Sequence, residues 1–359
     1  MTVVVAMQLT SGALAPIAGR LIDQFSLRWL IVGGACCCAL ALALAARAQS
    51  IAALTLIYAS LFGVGSLLCG PLAAQTLAAR WFNARRGTAI GLSAVGTSLG
   101  GMLIPPLVGM LLAGEDWRTV HDYLALLTLL AILPPVLILV RDSPMAAGVA
   151  PEPAGPETRL APDGRGWTVR EILSSRDFRL IAIAVTPVVT ATGAMQQNLA
   201  PFAADQLIPA DTVATLIAVL AGVMILGKIF FGVLSDRGSQ TLLLGFSVTC
   251  VYLSLGLMLL NPHLVLMYVI VAVLGFGMGG FLPLLGAIVA RRFGPVAFGS
   301  VMGLLGPFVT LGAVGPLLAG YLRDVTGGYD AAVLTLMGLM VVSVIALPLL
   351  AAQEHRSGR

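Results

Sequence analysis

The chain has 359 residues, of which 58% are hydrophobic and only 10% charged, and its mean hydropathy is +0.99. A soluble domain carries roughly a quarter charged residues, so an aqueous globular protein is excluded and a bilayer is the remaining solvent. The formal net charge is only +4, and no nucleic-acid partner is expected.

Eleven apolar stretches follow one another: residues 3–22, 28–49, 52–77, 87–112, 122–141, 179–203, 212–234, 241–261, 264–289, 297–321 and 330–351. Each is long enough to cross about 30 Å of hydrocarbon as a helix. Backbone groups in lipid must be bonded internally, and the alternation that a barrel needs is absent. The expected fold is therefore an all-α, polytopic membrane protein. The first stretch does not read as a signal peptide. It has no charged region before its apolar core, and it ends in "GRLIDQ" rather than a small-residue cleavage site. Cys36, Cys37, Cys38, Cys69 and Cys250 fall inside expected helices with no CxxC spacing, and read as small apolar packing residues.

Between the fifth and sixth stretches lies a long polar segment, 142–178. Its first part, "DSPMAAGVAPEPAGPETRLAPDGRG", reads as a flexible linker. In the following "WTVREILSSRDF", Thr168 and Glu171 have capping-box spacing, so a short helix is expected at the membrane interface or in the solvated linker. The organisation is then an N-terminal bundle of five helices (1–141), a cytoplasmic linker (142–178) and a C-terminal bundle of six (179–359).

Arginines set the expected orientation. Alternate loops hold Arg20 and Arg28; Arg80, Arg85 and Arg86; Arg141, Arg159, Arg165, Arg170, Arg176 and Arg179; Arg237; Arg291 and Arg292; and Arg356 and Arg359. The other loops hold only Arg47, Arg118 and Arg323. The arginine-rich side is expected to be cytoplasmic, which places the C-terminus inside and the N-terminus outside.

The two bundles repeat. A shift of 212 carries Gly63, Gly65, Pro71, Arg80, Gly87, Gly91, Leu99 and Gly100 onto Gly275, Gly277, Pro283, Arg292, Gly299, Gly303, Leu311 and Gly312. A shift of 213 carries Gly19, Leu21 and Asp23 onto Gly232, Leu234 and Asp236. Parallel repeats of this kind are a design of secondary transporters. In this register the first helix matches the second helix of the later bundle, so the expectation is eleven helices here of twelve, with the counterpart of 179–203 either upstream of this start or lost by truncation.

"GRLIDQFSLRW" (19–29) and "GVLSDRGSQT" (232–241) resemble the loop signature of the major facilitator superfamily, Gly-x-Leu-Ala-Asp-Arg-x-Gly-Arg-Arg. Gln24 replaces the first arginine of one copy, and Ser26 and Ser239 replace the second glycine. "RWFNARRGTAIGLSAVGTSLGGMLIPPL" (80–107) resembles the monocarboxylate-transporter and oxalate/formate-exchanger branch. The resemblance implies two pseudo-symmetric bundles and alternating access. It also implies a gate in which Asp23 pairs with Arg28, Arg80, Arg85 or Arg86, and Asp236 with Arg237, Arg291 or Arg292. A carboxylate there would also face the positive end of a neighbouring helix. The alternative is that these arginines are anchors only.

Lys228 is the only lysine, and it sits inside the apolar run "AGVMILGKIFFGVLSDR" (221–237). An unpaired lysine at the bilayer centre costs about 2.5–3.5 kcal/mol on insertion scales, and no acid lies mid-membrane. Either the side chain snorkels to headgroups or to Asp236, or it faces a cavity between the bundles and a bound anion neutralises it. The resemblance implies the second. In that branch a basic residue four positions before the signature glycine binds the substrate carboxylate, and Lys228 stands four before Gly232. The branch's aspartate one turn earlier is here Met224. Further candidates for contact with the substrate are Gln196, Gln197, Tyr58 and Thr97.

His121, His263 and His355 lack metal-ligand spacing, and no nucleophile elbow, HExxH or P-loop occurs. No cofactor and no enzymatic role are expected. The expected function is a gradient-driven secondary carrier, a symporter or antiporter, for a small organic anion in a bacterial-type plasma membrane. It is expected to be monomeric, with a coupling proton or counter-substrate as partner. The alternatives are an efflux carrier for a hydrophobic or neutral solute and a non-transporting truncated member.

Overall fold

The computed structural model describes residues 2–150, 152 and 167–357. The linker positions Arg159 and Arg165, and Arg359 at the end, lie outside the described residues. Helices, with no strand among the described residues, run as follows. They are α1 (Thr2–Gln24), α2 (Leu27–Ala45), α3 (Ile51–Ile57), α4 (Gly63–Cys69), α5 (Pro71–Trp81), α6 (Arg86–Leu112) and α7 (Trp117–Leu139). Then come α8 (Val169–Ser174), α9 (Arg176–Asp205), α10 (Ala210–Ser235), α11 (Gln240–Met258) and α12 (Leu264–Phe293). The last are α13 (Phe298–Leu311), α14 (Val314–Thr326) and α15 (Asp330–Ser357). They form eleven spans long and apolar enough to cross a membrane, as the sequence predicts.

Side-chain caps set several helix starts. The Ser50 hydroxyl accepts from the Ala53 N–H at 3.1 Å and the Asp116 carboxylate from the Thr119 N–H at 2.9 Å. The Ser175 hydroxyl accepts from the Phe178 N–H at 3.2 Å. Thr168 and Glu171 form the full capping box that opens α8. Each supplies an acceptor to an N–H that has no partner within the helix.

Two spans are not the continuous helices that their apolar runs predict. Ile51–Trp81 contains a π-helical turn at Tyr58–Phe62 and a break at Gly70, which is extended at φ −88° and ψ −155°. Pro71 follows, and a proline disfavours the helical conformation of the residue before it. The span Phe298–Thr326 breaks between α13 and α14 at Gly312–Ala313. Pro316 stands four residues after Gly312, so it offers no N–H to that carbonyl and its ring crowds it.

The helices pack as two sets. In the first, α2 lies against α7 and α4, and α5 against α6. In the second, α12 lies between α10 and α11, while α9 packs on α14 and α15. The buried core follows this division. A large cluster fills the second set around Phe178, Phe231, Leu274 and Phe298 and reaches across to Ala78, Ala79 and Ile90, and smaller ones centred on Ile22, Leu27 and Ala73, and on Ala39 and Leu42, fill the first. The sets meet along two principal helix pairs, α1 with α13 and α6 with α10, flanked by α6 with α12.

Glycine makes these crossings close. A Cβ on Gly19 would lie 2.1 Å from the Gly299 carbonyl oxygen, and one on Gly303 2.4 Å from that of Ala15. On the other pair, a Cβ on Gly91 would lie 2.7 Å from the Lys228 carbonyl oxygen, and one on Gly232 3.0 Å from that of Gly87. Any larger residue would push the halves apart at these points.

Candidate functional site

The α6–α10 crossing fixes the position of Lys228. Because Gly91 and Gly232 let the two backbones touch, the side chain one turn from Gly232 is driven across the seam into the first half. Lys228 is 2% exposed. Its Nζ donates to the Ala94 carbonyl at 2.9 Å, to Thr97 Oγ1 at 2.6 Å and to Ser98 Oγ at 2.5 Å. The Thr97 hydroxyl itself donates to the Ala94 carbonyl at 2.8 Å. An ammonium has three N–H donors, and all three are used on neutral oxygens. No ion pair involves Lys228 among the described residues. The ammonium points neither to lipid headgroups nor to Asp236. It ties the two halves together.

Nearer the arginine-rich face, the two signature acids make a reciprocal pair of clamps. The Asp23 carboxylate accepts from the N–H groups of Gly299 at 3.0 Å and Ser300 at 2.6 Å, at the start of α13. The Asp236 carboxylate accepts from the N–H groups of Gly87 at 2.6 Å and Thr88 at 3.0 Å, at the start of α6, and from the Thr88 hydroxyl at 2.6 Å. Each half thus supplies an acid to a helix N-terminus of the other, where unpaired N–H groups and the helix dipole favour negative charge. Glycine at positions 87 and 299 leaves room: a Cβ there would lie 2.8 Å from Asp236 Oδ1 and 2.6 Å from Asp23 Oδ1.

The structure arranges the arginines differently from the expected acid–arginine pairing. Among the described residues only Arg80 comes near Asp23, at 3.8 Å, and its guanidinium donates to the Ile22 carbonyl at 2.6 Å. Arg28 turns away. Its backbone N–H donates to Asp142 at 3.0 Å and its guanidinium to the Leu137 carbonyl. Arg86 bonds within its own turn, to Phe82 at 3.0 Å and Asn83 at 2.5 Å. Arg292 pairs with Asp177 and donates to the Leu350 carbonyl at 2.8 Å. Arg291 sits beside it in the last turn of α12. No ion pair joins Arg85 or Arg237 to either acid among the described residues. The physical reason is that both oxygens of each acid already face backbone N–H groups of the opposite half.

The other candidates separate. Thr97 joins Lys228. Tyr58 does not, for its hydroxyl meets His121 Nε2 at 3.1 Å within the first half, while His121 Nδ1 faces the Trp117 carbonyl at 2.8 Å. Gln196 and Gln197 are exposed on α9. Their neighbour Asn198 is bonded instead, to the carbonyls of Ala194 at 2.9 Å and Pro316 at 3.3 Å, and it accepts from Tyr329 at 3.2 Å. Sequence reasoning missed Ser98, which nothing but its place beside Thr97 distinguishes. It also missed Gln75, a buried amide on α5 whose Nε2 and Oε1 have no hydrogen-bond partner among the described residues. No group of three or more His, Cys, Asp or Glu that would hold a metal occurs among the described residues.

Eleven spans, a repeat and acids of one half on helix ends of the other describe a two-bundle membrane protein. The family model described as Major Facilitator Superfamily matches residues 1–261 and 186–359, together the whole chain. The chain belongs to the major facilitator superfamily. It is a multi-pass membrane transporter of that superfamily. Among its relatives is mouse monocarboxylate transporter 11, 28% identical over 340 residues, which span 90% of this chain and 72% of the relative. Another is an uncharacterized MFS-type transporter, YcxA, of Bacillus subtilis, 24% identical over 331 residues, 89% of this chain and 78% of the relative. Among solved structures, the human organic anion transporter MFSD10 (TETRAN) superposes with a TM-score of 0.77 at 16% identity. That match covers 96% of this chain and 83% of the other, and it establishes the two-bundle fold for this superfamily member.

Proposed function

We propose that the protein is a secondary active transporter that moves a small organic anion, a mono- or dicarboxylate, by alternating access. The observation that carries this reading is Lys228. It is the chain's single ammonium, buried on the seam between the halves and bonded only to neutral oxygens. A carboxylate entering there would replace one or more of these neutral acceptors with an opposite charge and form an ion pair with the ammonium. The hydroxyls of Thr97 and Ser98 are placed to bond the same cargo, and Gln196, Gln197 and Tyr58 are weaker candidates. The kinship to monocarboxylate transporter 11 supports the substrate class.

The same reading makes the arginine-rich face cytoplasmic and the membrane a bacterial inner membrane. It takes the halves to be 1–141 and 179–359, joined by the 142–178 linker, in a monomer coupled to a proton or a counter-substrate. The clamps Asp23 to α13 and Asp236 to α6 then form the closed cytoplasmic gate, with Arg80 as its nearest arginine, and the chain stands open to the other side. Arg28, Arg85, Arg86, Arg237, Arg291 and Arg292 serve as anchors around that gate.

The test is uptake of radiolabelled lactate and oxalate into proteoliposomes, comparing the wild type with Lys228→Gln. Loss of a charged hydrogen-bond donor is expected to lower uptake about tenfold or more. Undiminished uptake by the variant would remove Lys228 from the site. One observation favours a second reading, an efflux carrier for a hydrophobic or neutral solute. The three donors of Lys228 are already satisfied, so the ammonium has the makings of a structural tie. That reading requires the wild type to leave both anions untransported while moving a neutral dye.

A further inference from the structure

We propose that Gln75 sets the transport cycle by destabilising the closed seam, because its carboxamide is buried there without partners and gains them only when the halves part. Gln75 lies just past the Gly70–Pro71 break in α5 and is 1% exposed. Neither its Nε2 nor its Oε1 has a hydrogen-bond partner among the described residues. The side chain reaches across the seam toward α12 of the second half, where a Cβ on Gly286 would lie 3.4 Å from Gln75 Oε1. The same Cβ would lie 2.9 Å from Cγ2 of Ile90. Glycine at 286 is thus what lets α12 close over both side chains.

The position ties Gln75 to the candidate site. Ile90 and Ala94 are four residues apart on one face of α6, and Ala94 is the residue whose carbonyl receives Lys228. Gln75 therefore sits about one helical turn, ~5.4 Å, from the level of Lys228. The sequence order along α6 places it on the side of the Asp236 clamp, which holds Gly87 and Thr88.

Packing does not call for an amide here. The internal repeat places Ala287, also buried, at the counterpart position in the second half. An amide buried in the seam without a protein partner among the described residues gives up bulk hydration for no protein hydrogen bond. That loss exists only while α5, α6 and α12 are pressed together. The clamps hold the seam shut, and Gln75 opposes them. The balance keeps the gate within reach of thermal opening, and an apolar residue in place of Gln75 shifts the equilibrium toward the closed state.

The inference rests on the two-state seam of the proposed function but not on the anion. Hydrogen exchange read by mass spectrometry, on the full chain in lipid nanodiscs, follows the amides of Gly87, Thr88, Gly299 and Ser300, which exchange only when the clamps open. Gln75→Met keeps length and removes the amide, and Gln75→Ala copies the residue of the other half. Slower exchange of these amides by about fivefold or more in either variant that elutes as a folded monomer is the expected result. It should come with a lower maximal rate of lactate or oxalate transport. Exchange that is unchanged or faster in both variants overturns the proposal and makes Gln75 a packing residue. Because the exchange measurement needs no cargo, failure of the anion assignment would appear separately, as a wild type that transports neither anion.

Discussion

At the scale of single residues, the two acids illustrate how geometry selects among partners of the same charge. Asp23 and Asp236 have nearby arginines, yet each gives both oxygens to N–H groups that open a helix of the opposite half. Such donors are fixed in place by the helix, whereas an arginine must give up side-chain freedom to reach the acid. Asp236→Asn keeps the shape but presents an NH2 where an acceptor is needed. With charged hydrogen bonds contributing ~1.5–3 kcal/mol, exchange at Gly87 and Thr88 should accelerate about tenfold or more. Equal exchange in wild type and variant would show that the bond to α6 does not hold the seam. The sequence disclosed these acids, because the Gly-x-Leu-x-Asp spacing repeats. It also pointed to a helix end as partner but not to which one, since the bonds run mainly through the backbone N–H groups of Gly87, Thr88, Gly299 and Ser300. Thr97 was legible as a polar group in an apolar helix. Ser98 and Gln75 were equally visible as letters, but which face of a helix meets the seam depends on packing that a uniformly apolar stretch does not encode.

At the scale of elements, the two halves treat one proline differently. Pro71 and Pro283 are counterparts in the repeat, yet α12 runs through Pro283 while the earlier span breaks before Pro71. The residue ahead of the proline decides. Gly70 adopts an extended backbone in which a Cβ would lie 2.2 Å from the Ser66 carbonyl oxygen, whereas Leu282 stays helical. Gly70→Ala is therefore expected to lower the melting temperature of the detergent-solubilised protein by several degrees, as a clash of ~1–3 kcal/mol with backbone does. An unchanged transition would mean that the break relaxes freely. Gly232→Leu acts at the other kind of site. Its side chain would meet Gly87 and Gly91 backbone atoms at about 3 Å and part α6 from α10. Exchange at Gly87 and Thr88 should quicken in that variant while the core of α11 stays protected, and slow exchange would show that the crossing tolerates a side chain. Eleven spans could be read from apolar run length, because lipid forces helices. The breaks could not, since a Gly-Pro pair and a Pro four residues past a Gly are permissive signals that only the neighbouring helices resolve.

At the scale of the whole molecule, Glu152 of the 142–178 segment fastens to the turn between α5 and α6. Glu152 accepts from the N–H groups of Asn83 and Ala84, each at 2.8 Å, and its own carbonyl accepts from the Asn83 amide at 3.0 Å. Those two N–H groups hold its carboxyl below the usual value of 4.5. The sign is that of a depressed acid. The contact is fully present above pH 4.5 and is lost as pH falls through the lowered pKa, when the protonated group no longer takes two N–H bonds. Glu152→Gln should mimic that state at neutral pH, and trypsin should then cut faster after Arg85. Unchanged cleavage would mean that the 82–86 turn is held by α5 and α6 alone. Compositional reading takes 142–178 as a linker, and the bond from Glu152 to the 83–84 backbone follows no pattern that a sequence displays.

Each half contributes one acid and one helix start to the two clamps, so the fastening has two bolts set apart across the face. Loosening one alone would not swing a central mouth open. The halves would pivot on the bolt that remains and part along a sideways fissure toward the lipid. A protein with a single acid removed would then be expected to leak rather than to carry.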